Sequence, residues 1–395
     1  MNVSIELNKK AIGILTLVLA SLISLSPFAI DTYVPAIPVM AQWFNTPLSD
    51  IQLSMTIYIL GYAIGQFLGG PLSDNFGRKL IVYIGLFVFC VTSFALSKCN
   101  SLGQLYVLRF IQALGGGFSV VVAMAIVRDL FTGRDLARRI SYISMFMMAA
   151  PLLAPAVGTF LLKMFGWRSI FSFLTIYSLL VIVLITFFIP ETNKNGNRES
   201  IIRTTLSSYV SVFSNGKAMG FILATALGFS GMFTFITGSS EIYIEHFQIP
   251  VEMFPLLFGS NVLLMMTMSG VNARMVKYIE PKRILTVGLV IQLLAGALLC
   301  LTMLKGNIPF VPVYLLIVVF VGVLGVISGN ANASVLHMFP NSSGATTAVI
   351  GVTQYAMAGI TGMLLHTLQD DTILPFGIMM FACAFAANLV YRFLN

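Results

Sequence analysis

GPLSDNFGRKL, Gly70 to Leu80, puts an aspartate, an arginine and a lysine between two long apolar runs. Charged residues are only 9% of this 395-residue chain, hydrophobic residues are 58% and mean hydropathy is +0.94. Soluble domains are about a quarter charged, so the composition excludes an ordinary soluble protein. Apolar runs of roughly 20 residues recur along almost the whole length, each long enough to cross a bilayer core of about 30 Å as a helix. The charges of Gly70–Leu80 therefore fall where the chain leaves one span and enters the next.

Working outward, the pattern predicts an all-α integral membrane protein with twelve spans: 11–38, 49–69, 79–98, 103–127, 139–162, 167–189, 218–240, 253–272, 282–304, 311–331, 344–366 and 372–393. The runs are continuously apolar, unlike the alternating ten-residue segments of a membrane barrel. The longest polar stretch, ETNKNGNRESIIRTTLSSY from Glu191 to Tyr209, lies near the middle. The expected organisation is a six-helix bundle at 1–190, a cytoplasmic linker at 191–217 and a second, pseudo-symmetric six-helix bundle at 218–395.

Lysine and arginine orient the chain. With both termini in the cytoplasm, seventeen of them fall inside, including Arg78, Lys79, Arg128, Arg134, Arg138, Arg139, Lys282 and Arg283. Only Lys98, Lys163, Arg168 and Lys305 fall outside, and Arg109 is left within the bilayer. This is a strong positive-inside pattern. It makes the net charge of +8 a topology signal rather than a nucleic-acid footprint. The apolar run after Lys9 and Lys10 is long and lacks a small-residue cleavage site, so it is expected to stay as the first span rather than leave as a signal peptide.

Enzymatic readings find little. Cys90, Cys99, Cys300 and Cys383 have no paired spacing, and His246, His337 and His366 are scattered, so no metal site is expected. HExxH, GxSxG and P-loop motifs are absent from the sequence, which argues against an enzyme and an ATP-driven pump.

Three ionisable residues lie at membrane depth, where a charge is costly and by default marks a functional site. Asp31 follows about 20 largely apolar residues. A carboxyl in a poorly hydrated cavity can load and release a proton near neutral pH; the alternative is an interfacial residue that merely hydrates the helix end. Arg109 lies six residues past Gly103, roughly 10 Å deep at 1.5 Å per residue. It needs an acceptor, for which Asp31 is a candidate, with Gln112 one turn away completing the network. Glu241 ends span seven, where Glu241-Ile-Tyr243 rhymes with Asp31-Thr-Tyr33 of span one. If the halves are pseudo-symmetric, the two acids face one cavity; otherwise Glu241 is an exposed loop residue beside Glu245 and Glu252.

Four stretches carry a resemblance. GPLSDNFGRKL is similar to the G-x-L-x-D-x-x-G-R-K signature of the major facilitator superfamily, through Gly70, Asp74, Gly77, Arg78 and Lys79. LYVLRFIQALGGG, Leu105 to Gly117, resembles its fourth-helix motif through Arg109, Gln112 and Gly115, with Ala113 in place of a glycine. APLLAPAVGTF, Ala150 to Phe160, looks like the fifth-helix antiporter motif through Pro155 and Gly158, with Pro151 nearby. SPFAIDTYVPAIP, Ser26 to Pro38, is similar to the first-helix motif of the twelve-helix drug:proton antiporters, and most of all to the bicyclomycin and chloramphenicol resistance (Bcr/CflA) branch. The second half matches mainly in helix count, and Glu241 stands where relatives more often carry a proline.

The resemblance implies the major facilitator fold and a proton-coupled efflux transporter in the bacterial inner membrane. It would export a small amphipathic drug, metabolite or siderophore by alternating access. The alternative on the same fold is a proton-coupled importer. No cofactor is implied beyond the proton gradient, and the expected state is a monomer in lipid. Asp31, Arg109 and Glu241 would couple protons. Tyr33, Tyr58, Tyr62, Gln112 and Glu241 would line the substrate cavity. Gly70, Asp74, Gly77, Arg78, Lys79 and Arg128 would form a conformational switch in which Asp74 pairs with Arg128. Pro151, Pro155 and Gly158 would make a kinked gasket between the halves.

Overall fold

Inside hydrocarbon a backbone has no water to bond, so each apolar run must close its hydrogen bonds internally. The computed structural model describes residues 9–193, 207–305, 308–370 and 372–395. Among them no strand forms, and twelve helices are long and apolar enough to span a membrane. They are α1 (Ile12–Phe44), α2 (Leu48–Phe76), α3 (Arg78–Leu96), α4 (Leu102–Leu130), α5 (Gly133–Phe165), α6 (Arg168–Phe188), α7 (Gly216–His246), α8 (Phe254–Met275), α9 (Pro281–Met303), α10 (Phe310–Met338), α11 (Ser343–Leu368) and α12 (Leu374–Leu394). We call the end where α1 passes into α2 the outer end, following the charge pattern.

Several helices outrun their apolar windows, because polar residues continue the backbone ladder into the interface. α1 is regular to Asp31, tightens into a 3-10 turn at Val34–Ala36 and resumes over Ile37–Phe44. Pro35 sits in that turn, where its missing N–H breaks the ladder. α7 closes with a wide turn of π-helix, Glu241–His246, a form that often marks functional positions.

The expected spans 49–69 and 79–98 leave a nine-residue connection at Gly70–Arg78, and the structure shortens it to a single residue. α2 continues through Gly70 and Asp74 to Phe76, and Gly77 alone makes the corner, at φ +98°. That conformation suits a residue without Cβ. A Cβ there would also lie 3.0 Å from a carboxylate oxygen of Glu191. This carboxylate accepts the backbone N–H of Arg78 (3.1 Å) and Lys79 (2.9 Å) and so caps α3. An acid at a helix N-terminus satisfies orphan donors and favours the dipole. Residues Glu191 and Asn193 thus fold back onto the first half, with Asn193 Nδ2 donating to Asp74 O at 2.7 Å. The remainder of the expected linker up to residue 206 lies outside the described residues.

Helices α1–α6 pack on one another, with α4 against α2 and α3, and α1 against α5 and α6. Helices α7–α12 do likewise, with α12 against α7 and α9. The two halves meet along α2 with α11 and α5 with α8. Glycines set the spacing. On α2, Gly61 and Gly65 recur every four residues against α4, where an added Cβ would lie 2.6 Å from Phe110 O and 2.5 Å from Leu114 O. Small residues at this interval let membrane helices approach backbone to backbone.

Candidate functional site

The fold gathers the polar side chains of the first half near the end of α1. Asp31 is 4% exposed and Arg109 is fully buried. Arg109 does not pair with Asp31, contrary to the sequence expectation. Its Nη1 donates to Ala29 O (3.1 Å) and to Gln112 Oε1 (2.9 Å), and Gln112 Nε2 passes the chain on to Ser93 Oγ (2.8 Å). The guanidinium lies 4.8 Å from the ring centre of Tyr33 and 4.3 Å from that of Tyr58. A desolvated cation over an aromatic face gains about 2 kcal/mol, so two rings replace the missing carboxylate.

Asp31 is left without a hydrogen bond or ion pair among the described residues. On the same half, Arg109 Nε and Nη2, Tyr58 OH and Ser26 Oγ are also buried without hydrogen-bond partners. Buried polar groups are normally bonded, and exceptions call for an explanation. Unpaired donors on α1, α2 and α4 and a free acid on α1 are suited to taking a ligand, water or a proton.

An aromatic series runs from this cluster into the second half. Tyr58 stacks with Tyr62, Tyr62 meets Tyr355 of α11 edge to face at 4.7 Å, and Tyr355 meets Phe229 of α7 at 5.2 Å. Tyr33 is held away from it by its hydroxyl contact with Ser54 (2.9 Å). Sequence reasoning found the three tyrosines of the first half and missed Tyr355. No motif marks it, and one tyrosine in an apolar span does not stand out.

The fifth-helix motif is placed differently from its expected role. α5 stays helical through Pro151 and Pro155. Gly158 packs directly onto the backbone oxygen of Thr32, one residue past Asp31, so it seals α5 to α1 within one half. The contact between halves is made further along, where Leu152 of α5 fills the space beside Gly259 of α8.

Glu241 does not face Asp31 across a cavity. It lies at the outer end, partly exposed, and lines an opening of about 650 Å³ with Glu245, His246, Gln369 and Asp370. Its Oε2 accepts Gln52 Nε2 of α2 at 2.8 Å and Gln369 Nε2 at 3.3 Å. Gln369 also donates to Gln52 Oε1. Neither glutamine could be singled out from sequence, because uncharged amides at helix ends are common. Nearby, Lys163 of α5 pairs with Glu252 of the α7–α8 loop. That bond holds the Glu252 carboxyl below the usual carboxylate range.

At the opposite end, the expected Asp74–Arg128 pair does not form. Asp74 is bridged by Arg78, one helical turn on, and Arg78 Nε reaches Asp129 at 3.0 Å. A nearby guanidinium one corner away outcompetes the more distant Arg128. Arg128 instead lies against α11, its guanidinium carbon 3.4 Å from where a Gly344 Cβ would sit. Lys79 Nζ donates to Thr186 O of α6 at 3.1 Å. Gly70 leaves room for Tyr209, which packs its ring on Phe67 at 5.5 Å.

Twelve spanning helices in two packed sets, with polar clusters buried between apolar walls, define a multi-pass membrane transporter. The chain belongs to the Major Facilitator Superfamily, whose sequence pattern matches residues 19–363. It is 34% identical over 388 residues to a bicyclomycin resistance protein homolog of Haemophilus influenzae, covering 98% of this chain and 97% of that one. It is 28% identical to a chloramphenicol resistance protein of Pseudomonas aeruginosa, over 88% of this chain and 84% of that one. Multidrug resistance protein D of Escherichia coli is 29% identical over 56% of this chain and 55% of its own. Among solved structures, a D-xylose-proton symporter superposes with a TM-score of 0.75 at 17% identity, over 97% of this chain and 98% of that one. At that identity the likeness concerns the fold.

Proposed function

We propose that this chain is a proton-coupled exporter of a small amphipathic molecule, working as a monomer by alternating access in a bacterial inner membrane with both termini in the cytoplasm. The carrying observation is Asp31, a buried acid with no internal partner, in the same half as a buried cation held by tyrosines. A carboxyl so placed is free to exchange a proton against a ligand. The similarity to resistance proteins over nearly the whole chain supports export and a drug-like or metabolite-like cargo.

In this reading, cargo from the cytoplasm engages the unpaired donors of Arg109, Tyr58 and Ser26 while Asp31 is ionised. Release at the outer side leaves Asp31 open to a proton. Neutral Asp31 then removes a buried charge and favours return of the two halves. The proton gradient is the energy source, and neither a cofactor nor a nucleic-acid partner enters. The cycle makes and breaks no covalent bond in its cargo, so the chain acts as a carrier rather than an enzyme.

The test is proton release from purified protein in detergent when candidate ligands are added. Wild type should release protons, and Asp31→Asn should bind ligand without release. Release that persists in the variant would move the coupling away from Asp31. Everted vesicles fix direction, because an exporter accumulates cargo inside them and an importer does not.

A further inference from the structure

We propose that Gln52, Glu241 and Gln369 form a latch on the outer mouth, closed while Glu241 is ionised and released when it takes a proton from the outer side. The proposal rests on the alternating-access reading above but not on the direction of transport.

Three observations carry it. First, the contact crosses the boundary between the halves: Gln52 belongs to α2, Glu241 to the last turn of α7 and Gln369 to the end of α11. Both amide donors converge on one carboxylate oxygen, Oε2, and Gln369 closes the triangle onto Gln52. The outer ends of the halves cannot part without breaking these bonds. Second, hydrogen bonds to an ionised acceptor are roughly twice as strong as neutral ones. Protonation of Glu241 therefore weakens both at once, leaving the inter-amide bond alone. Third, the opening of about 650 Å³ reaches Glu241 from the outer end, so a proton arrives there without passing Asp31.

The surrounding charges fit this role. Glu245 and His246 share the α7 turn with Glu241, and Asp370 faces it from the α11–α12 loop. Thr372 holds the Asp370 carboxyl below the usual range, so that charge stays on. From the α2 side the nearest carboxylate, Asp50, is already engaged by Thr46. Acid at the outer face thus acts first on Glu241, which loosens the mouth and opens the way for a second proton to reach Asp31. Glu241 is then a gate acid, Gln52 and Gln369 are the residues that position it, and Asp31 is the coupling acid.

The test measures the distance between the halves rather than transport. Spin labels go on Lys98→Cys and Lys305→Cys, exposed outer positions on the α3–α4 and α9–α10 loops, with the four native cysteines replaced. Double electron–electron resonance is recorded in lipid nanodiscs from about pH 4 to 8.5, which spans the ordinary carboxyl range and extends well above it. In wild type the longer outer distance should gain population as pH falls. Glu241→Gln should give one distribution at every pH, close to the acid wild type. Gln52→Leu and Gln369→Leu should each raise the long-distance population at high pH about tenfold, the effect of one lost charge-assisted bond. These two variants also serve if Glu241→Gln fails to fold. A wild-type pH response that survives unchanged in Glu241→Gln overturns the proposal, as does an unmoved distance in both glutamine variants. Asp31→Asn, which mimics the neutral acid, should shift the overall balance of the two distances but keep their dependence on pH, so the latch and the coupling site fail separately.

Discussion

Helix α2 meets two neighbours through glycines, and the two contacts differ in kind. Towards α4, within its own half, the glycines face backbone: Gly61 looks at Phe110 O, Gly65 at Leu114 O, and Gly117 of α4 looks back at Tyr62 O. Towards α11, across the boundary, the glycines of α11 face side chains of α2: Gly351 meets Gln66, Gly359 meets Leu60 and Gly362 meets Thr56. A backbone carbonyl cannot step aside without dragging its helix. A leucine or glutamine tip can change rotamer. The same device therefore makes one rigid seam and one compliant seam, and only the compliant one lies where alternating access needs movement.

That contrast can be broken by substitution. The largest effect should come from Gly65→Ala, whose new methyl has only backbone to displace; overpacking of this kind costs about 1–3 kcal/mol. Thermal unfolding in detergent should show a clear drop and a reduced yield. Gly359→Ala should fall at the low end of that range, about 1 kcal/mol, because the Leu60 side chain can repack where a backbone cannot. Its signature should be kinetic, a change in turnover at nearly wild-type melting temperature. Equal stability losses in the two variants would remove the distinction between the seams. The smallest effect belongs to Lys163→Ala. Its bridge to Glu252 crosses the boundary too, but both side chains are about half exposed. Exposed pairs contribute roughly 0–1 kcal/mol, so melting temperature and turnover should barely move.

The sequence made the spans, the halving of the chain and the buried charges legible because each depends on composition over a window or on a cost paid wherever the residue ends up. Asp31 and Arg109 were readable for this reason: an ionisable group in an apolar run stands out before any neighbour is known; Gln112 was readable only through the motif it shares with Arg109. Their partners were not readable. Which acceptor Arg109 takes depends on rotamers and on the approach of α1, and two tyrosine faces won over Asp31. Asp74 chose the arginine one turn away over Arg128 for a reason of distance that linear spacing does not encode. Glu191 illustrates the opposite error. Its position beside a polar stretch suggested a linker, yet it caps a helix that begins more than a hundred residues earlier. Gln52, Gln369 and Tyr355 carry no charge and fit no motif, so only their meeting in space reveals them.

The way Arg109 is held has an electrical consequence. A guanidinium clasped by two rings and a backbone oxygen of the same half is a fixed positive charge belonging to that half. A salt bridge would have cancelled it; aromatic faces leave the net charge standing. When the first half tilts, this charge moves through part of the membrane field, in which a full crossing is worth about 2.3 kcal/mol per 100 mV. Even a tenth of that path, about 0.2 kcal/mol, biases the balance between inward and outward forms. Voltage, and not acidity alone, thereby biases which form is populated, although a charge that returns with each cycle adds nothing to the net driving force.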